Sequence, residues 1–95
     1  MKVEWRRLAY LDAMDIADYI ELDNPIAALG VLEEIQNQVA MLAHHPKIGR
    51  PGRVPGTREL VINRTPYIAV YFVDEKTVNI LRVLHGAQRW PKAIS

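Results

Sequence analysis

After a short N-terminal alternation, the period of the apolar residues changes from helical to strand-like, and the change falls on one loop. Before it, Ala28, Leu32, Ile35, Val39 and Leu42 recur at alternating spacings of four and three, which makes the seam of an amphipathic helix. After it, Ile68, Val70 and Phe72 alternate with Tyr67, Ala69, Tyr71 and Val73, the two-residue period of a strand. Between them His44–Gly56, HHPKIGRPGRVPG, holds three prolines and three glycines and reads as loop. The chain therefore reads as a short strand, a helix hairpin and then a three-stranded antiparallel meander, its helices and main strands in separate runs. They predict an α+β fold in which a helical layer covers one face of a mainly antiparallel sheet.

The elements follow from the same patterns. Val3-Glu4-Trp5 alternates and predicts a short N-terminal strand. Leu8 to Ile20 predicts a helix with its apolar stripe on Leu8, Leu11, Ala13, Met14, Ala17 and Ile20, leaving Asp12, Asp15 and Asp18 on a solvated face. Asn24 is placed to cap a second helix, with Pro25 at its first position, running to about Ala43. So short a link predicts an antiparallel helix hairpin. Arg58–Asn63, Tyr67–Asp74 and Thr77–His85 then form a three-stranded meander, joined by Arg64-Thr65-Pro66 and Glu75-Lys76. Residues 1–95 read as a single domain, with neither repeat nor linker. In the third strand of the chain order, the tyrosine-bearing face of Tyr67 and Tyr71 is expected to point away from the helices and stay half open, a surface for a partner.

Composition excludes several classes. Cysteine is absent, which removes disulfides and thiolate metal sites, and no apolar run reaches the length of a membrane span. A cytoplasmic location and no membrane association are expected. Net charge is +1, yet residues 1–45 carry eight acids against three bases while residues 46–95 carry nine bases against three acids. That split predicts a positive surface on one side.

Few residues can carry chemistry. Serine occurs only at Ser95, so a Ser/His/Asp triad is excluded, and Gly49-Arg50-Pro51-Gly52-Arg53 lacks the lysine-serine ending of a phosphate loop. His44 and His45 fit a helix C-terminus better than a metal site. No metal and no cofactor are expected. Metal-free RNA cleavage would need converging cations and a proton-transfer group. Lys47, Arg50, Arg53, Arg58 and Arg64 are candidate cations, and Arg82 and His85 join them only if the last strand bends near Leu84, because a separation of three puts them on opposite faces.

The order of elements and the segments HHPKIGRPG, RELVI, YIAVYFV with its DEK turn, and ILRVLHGAQ resemble the RelE/ParE superfamily of type II toxin–antitoxin toxins, nearly end to end. The resemblance implies a toxin neutralised by a cognate antitoxin, in a hetero-oligomeric complex, with the antitoxin's disordered tail folding onto the helix hairpin and the open sheet face. Two activities occur in that superfamily: ParE-like members inhibit DNA gyrase, and RelE-like members cut mRNA on the ribosome. The cutting branch typically reads Tyr-Arg-Leu-Val-Tyr where this chain has Tyr67-Ile68-Ala69-Val70-Tyr71, and often has lysines where it has Glu59 and Val61. It places a further arginine and tyrosine where this chain has Gly86-Ala87-Gln88 and Trp90. The resemblance therefore leans to the gyrase inhibitor. For target contact the Arg- and Trp-bearing end of the last strand points to Arg82, His85, Arg89 and Trp90; for antitoxin contact the tyrosine face and the positive C-terminal half point to Tyr67, Tyr71 and Arg58; the ribonuclease alternative would use Arg58, Arg82 and His85. Structural roles stay open for two of these: Arg82 pairing with an acid such as Glu59, and Trp90 closing the core.

Overall fold

A computed structural model describes residues 1–92 and 94. Strand β1 (Lys2–Trp5) leads into helices α1 (Arg7–Glu21) and α2 (Pro25–Ala40), and α2 tightens into a 3₁₀ turn at Met41–Ala43. Four strands follow: β2 (Arg50–Pro51), β3 (Arg58–Val61), β4 (Tyr67–Val73) and β5 (Thr77–His85). The five form one sheet in the order β1-β5-β4-β3-β2. All neighbours are antiparallel except β1, which lies parallel to β5 with Lys2 to Trp5 beside Thr77 to Ile80. The expected α+β fold is therefore present, with one more strand than expected. Arg50–Pro51 leaves the loop and pairs with Arg58–Glu59 as a two-residue edge. Pro51 has no N–H to give a ladder, which an outermost strand tolerates.

The helix hairpin forms as its caps dictate. Asn24 Oδ1 accepts from Ala27 N at 3.1 Å, and Pro25 stands at the first helical position. The buried seam of α2 is Ala28, Ile35 and Val39, continued by Leu42. On α1 the buried stripe differs from the expected one. Ala9, Ala13, Ile16 and Ile20 pack on the core, at spacings of four, three and four, while Leu8 and Leu11 remain 41% and 40% exposed. The larger leucines lie on the shoulder because the small alanines let α1 sit close to the sheet.

The sheet faces are the reverse of the expectation for β4. The hairpin register pairs Leu60 with Ala69 and Arg58 with Tyr71. Paired residues share a face, so Leu60 and Ile62 bring Tyr67, Ala69 and Tyr71 with them against Ile35, Val39 and Leu42 of the helical layer. Tyr71 is fully buried, and its hydroxyl donates to Pro46 O and accepts from Gly49 N, both at 2.9 Å. The half-open tyrosine face does not exist. The outer face is also covered: Val70 and Leu81 pack with Ile94, and Val54, Phe72, Leu84 and Trp90 close around them. The chain after β5 turns back across the sheet to make this second, smaller core.

Candidate functional site

Arg82 and His85 end up apart because the ladder runs regularly between them, from Val70–Arg82 to Tyr67–His85, and a separation of three keeps them on opposite faces; the bulge lies before Arg82. The β4–β5 register runs Tyr71 to Ile80 and then Val70 to Arg82, so Leu81 is an extra residue on β5. Arg82 leans over the part of β5 beyond the end of β1 and meets α1. Its Nε and Nη2 donate to Asp12 Oδ2 and Oδ1 at 2.7 and 3.0 Å, and Val83 N donates to Oδ2 at 3.0 Å. Both side chains are only 16% exposed. This carboxylate holds the Arg82 proton still more firmly than usual, chiefly through the hydrogen bond. Asp12 is therefore not on a solvated face, and the acid that takes Arg82 is not Glu59.

His85 pairs with Tyr67 across the ladder, and the two rings meet edge to face with centroids 5.6 Å apart. Its Nδ1 accepts from Ala87 N at 3.1 Å, so the imidazole fastens the turn that follows β5. Val83, Leu84, His85 and Gln88 form one wall of an open groove of about 480 Å³, with Asp12, Asp15, Ile16 and Tyr19 of α1 as the other. Acids, not cations, line the α1 side.

Arg58 is likewise committed. Its Nη1 donates to Lys47 O at 3.2 Å and Gly49 O at 2.8 Å, bracing the loop before β2. It stands on β3, two strand spacings or roughly 10 Å from β5. Arg64 is held by Glu34, with Nε to Oε2 at 2.5 Å, while Gln38 exchanges two bonds with the backbone of Asn63. These contacts tie α2 to the β3–β4 turn, where Arg64 takes a left-handed φ of 67°. Thus the three residues a ribonuclease reading needs, Arg58, Arg82 and His85, do not converge on one point.

Glu59 organises the other edge. It is 3% exposed, and it accepts from Arg50 Nε and Nη2 at 3.2 and 3.0 Å and from Arg53 N at 2.8 Å. Burial pushes its carboxyl up, but these bonds and the charges of Arg53 and Arg50 outweigh burial and hold it below the usual glutamate value. Arg53 in turn lies 3.5 Å over the ring of Trp90, whose Nε1 donates to His85 O at 3.0 Å. Trp90 thus closes the outer core and straps the tail to the loop, and Arg89 beside it is exposed. The Glu59 clasp was missed from sequence. An acid alternating with Leu60 on a strand, after a loop with two arginines, was its available signal.

Of the residues expected to meet an antitoxin, Tyr71 is inside and Tyr67 is 9% exposed, so the open face that argument needed is missing. Exposed apolar side chains lie instead on the helices: Tyr19 at 72%, Leu22 at 83%, Ile26 at 82% and Leu29 at 64%. A pocket of about 220 Å³ between the helices and β1 is lined by Trp5, Tyr10, Ala13, Met14, Leu32 and Gln36. Among the described residues no group of three potential ligands is placed to hold a metal ion, and no helix is long and apolar enough to cross a membrane.

A helix hairpin on a β1-β5-β4-β3-β2 sheet with a β5 that delivers a polar tail defines the RelE/ParE-like toxin fold. A family profile described as the ParE toxin of the type II toxin–antitoxin system parDE matches residues 3–90, and the chain belongs to that family. It is 41% identical over 93 residues to "Putative toxin Y4kP" of Sinorhizobium fredii, covering 98% of this chain and 96% of the relative. It is 37% identical over 84 residues to toxin RelE2 of Caulobacter vibrioides, covering 88% and 91%. A solved chain from the chromosomal ParDE toxin–antitoxin system of P. aeruginosa superposes with a TM-score of 0.82 at 34% identity, covering 90% of this chain and 95% of that one. The protein is the toxin component of a ParE/RelE-type module, and a partner antitoxin follows from that membership.

Proposed function

We propose that this toxin acts by binding DNA gyrase rather than by cutting RNA. The observation that carries the reading is the Arg82–Asp12 pair. The one arginine in β5 that a nuclease would aim at a phosphate is instead neutralised by a carboxylate at 2.7 Å. A cation neutralised in this way cannot supply the ~2.7 kcal/mol that one preorganised donor typically gives a transition state. Ile68, where the cutting branch typically has arginine, is 6% exposed and buried in the sheet. His85 is left without a converging cation, which supports a protein that inhibits by contact. Its site of action is then the cytoplasm, where gyrase works.

In this reading the target meets the surface around the end of β5, with His85 and Arg89 as the accessible members of the expected set and Arg82 and Trp90 behind them as supports. The antitoxin covers the helix hairpin, where the apolar side chains are exposed. A supercoiling assay with purified gyrase tests the activity. Added toxin should block supercoiling of relaxed plasmid, and the cognate antitoxin should restore it. Untouched supercoiling, together with mRNA cleavage only in the presence of ribosomes, would replace this reading with the ribonuclease.

A further inference from the structure

The net charge of +1 conceals a strongly basic edge. Four cations lie along β2, the loop after it and the strapped tail: Arg50, Arg53, Arg89 and Lys92. Contacts place them on the outer face of the sheet. Arg50 and Arg53 share Glu59, which pairs with Val70 of the outer core, and Arg53 lies on Trp90, between Arg89 and Lys92 in the chain. The carboxylate among them, Glu59, is 3% exposed and sits beneath the guanidinium groups, whose side chains are 54% and 51% exposed. It fixes two arginines without covering them, and Trp90 fixes one of them a second time. A prepaid arrangement of this kind lowers the ordering cost of binding a polyanion.

We propose that this edge binds the phosphate backbone of duplex DNA. A single strand is gripped mainly by stacking its bases on open aromatic rings. The aromatic ring on this edge, Trp90, already carries Arg53 on its face and gives its N–H to His85 O. What remains is a set of charges, two of them held by Glu59, and contacts to phosphate dominate affinity for duplex DNA. The excess of acid in residues 1–45, most of it on the helices, repels DNA and sets which side faces it. The inference concerns DNA itself and stands or falls without the gyrase reading.

Fluorescence anisotropy of a labelled duplex of about 25 base pairs, mixed with the full chain and no gyrase, tests it. With about four phosphates engaged, affinity should fall on the order of a hundredfold between 50 and 200 mM NaCl. Arg89→Glu with Lys92→Glu changes two exposed side chains. It should leave the thermal melt unchanged, weaken binding at least about tenfold and flatten the salt slope by about two. Three results would each overturn the proposal. They are no saturable binding at 50 mM salt, a folded double variant that binds like the parent, and tighter binding to a single-stranded RNA of equal length than to the duplex.

Discussion

Asp12 and Arg82 are the residue pair on which the β5 end depends. Arg82 stands among Ile80, Leu81, Val83 and Leu84, and Asp12 lies three residues after Ala9 and four before Ile16, on the buried side of α1. Each is a charge in an apolar setting and each needs the other. That much was legible in principle. The stripe had to be set on Ala9, Ala13, Ile16 and Ile20, and the larger Leu8 and Leu11 drew it to the wrong side. The bulge at Leu81 left no such trace, because an extra residue changes no composition and is fixed by cross-strand packing. Asp12→Ala should cost about 3 kcal/mol, since it strands a mostly buried guanidinium and leaves Val83 N without its acceptor. Urea unfolding followed by circular dichroism measures this. A midpoint equal to that of the parent would show the pair to be incidental and free Arg82 for target contact again.

At the scale of elements, the sequence was most informative where period and caps agree. The bounds of β5 and the Asn24-Pro25 start of α2 appear where the pattern put them. It misled about which face of β4 is covered, since both faces are apolar and alternation alone cannot order them. The register of the β3–β4 hairpin decides, by setting Leu60 opposite Ala69. The two-residue β2 was hidden by its proline and held by Glu59. That clasp makes a pH prediction. A carboxyl lowered by its partners stabilises the fold fully above its ordinary value, 4.5 for glutamate, and the contribution is lost as pH falls through the lowered value. Glu59→Gln should therefore be less stable than the parent at pH 7, and the gap between their urea midpoints should be smaller at a pH below the lowered value. A gap of the same size at both pH values would mean that packing of the side chain, not its charge, holds β2.

At the scale of the whole molecule, the sheet order separates two kinds of surface. The basic edge is at β2, and the acidic, apolar hairpin projects from the layer over the other face. Leu22, Ile26 and Leu29 stand at the tip of that hairpin with Asp23 between the helices. Leu22 and Ile26, each more than four-fifths exposed, contribute little to the fold, so their cost in water is relieved only by a partner. If the antitoxin covers the tip, burying each such aliphatic stabilises the complex by about 1.5 kcal/mol or more. Leu22→Ser with Ile26→Ser should then leave the melting temperature within about two degrees of the parent. It should weaken antitoxin binding by about a hundredfold, the equivalent of roughly 3 kcal/mol. Calorimetric titration of the toxin with the antitoxin gives the number directly. Because stability and binding are predicted to move separately, an unchanged affinity would place the antitoxin elsewhere, with the groove between α1 and the end of β5 as the next surface to mutate.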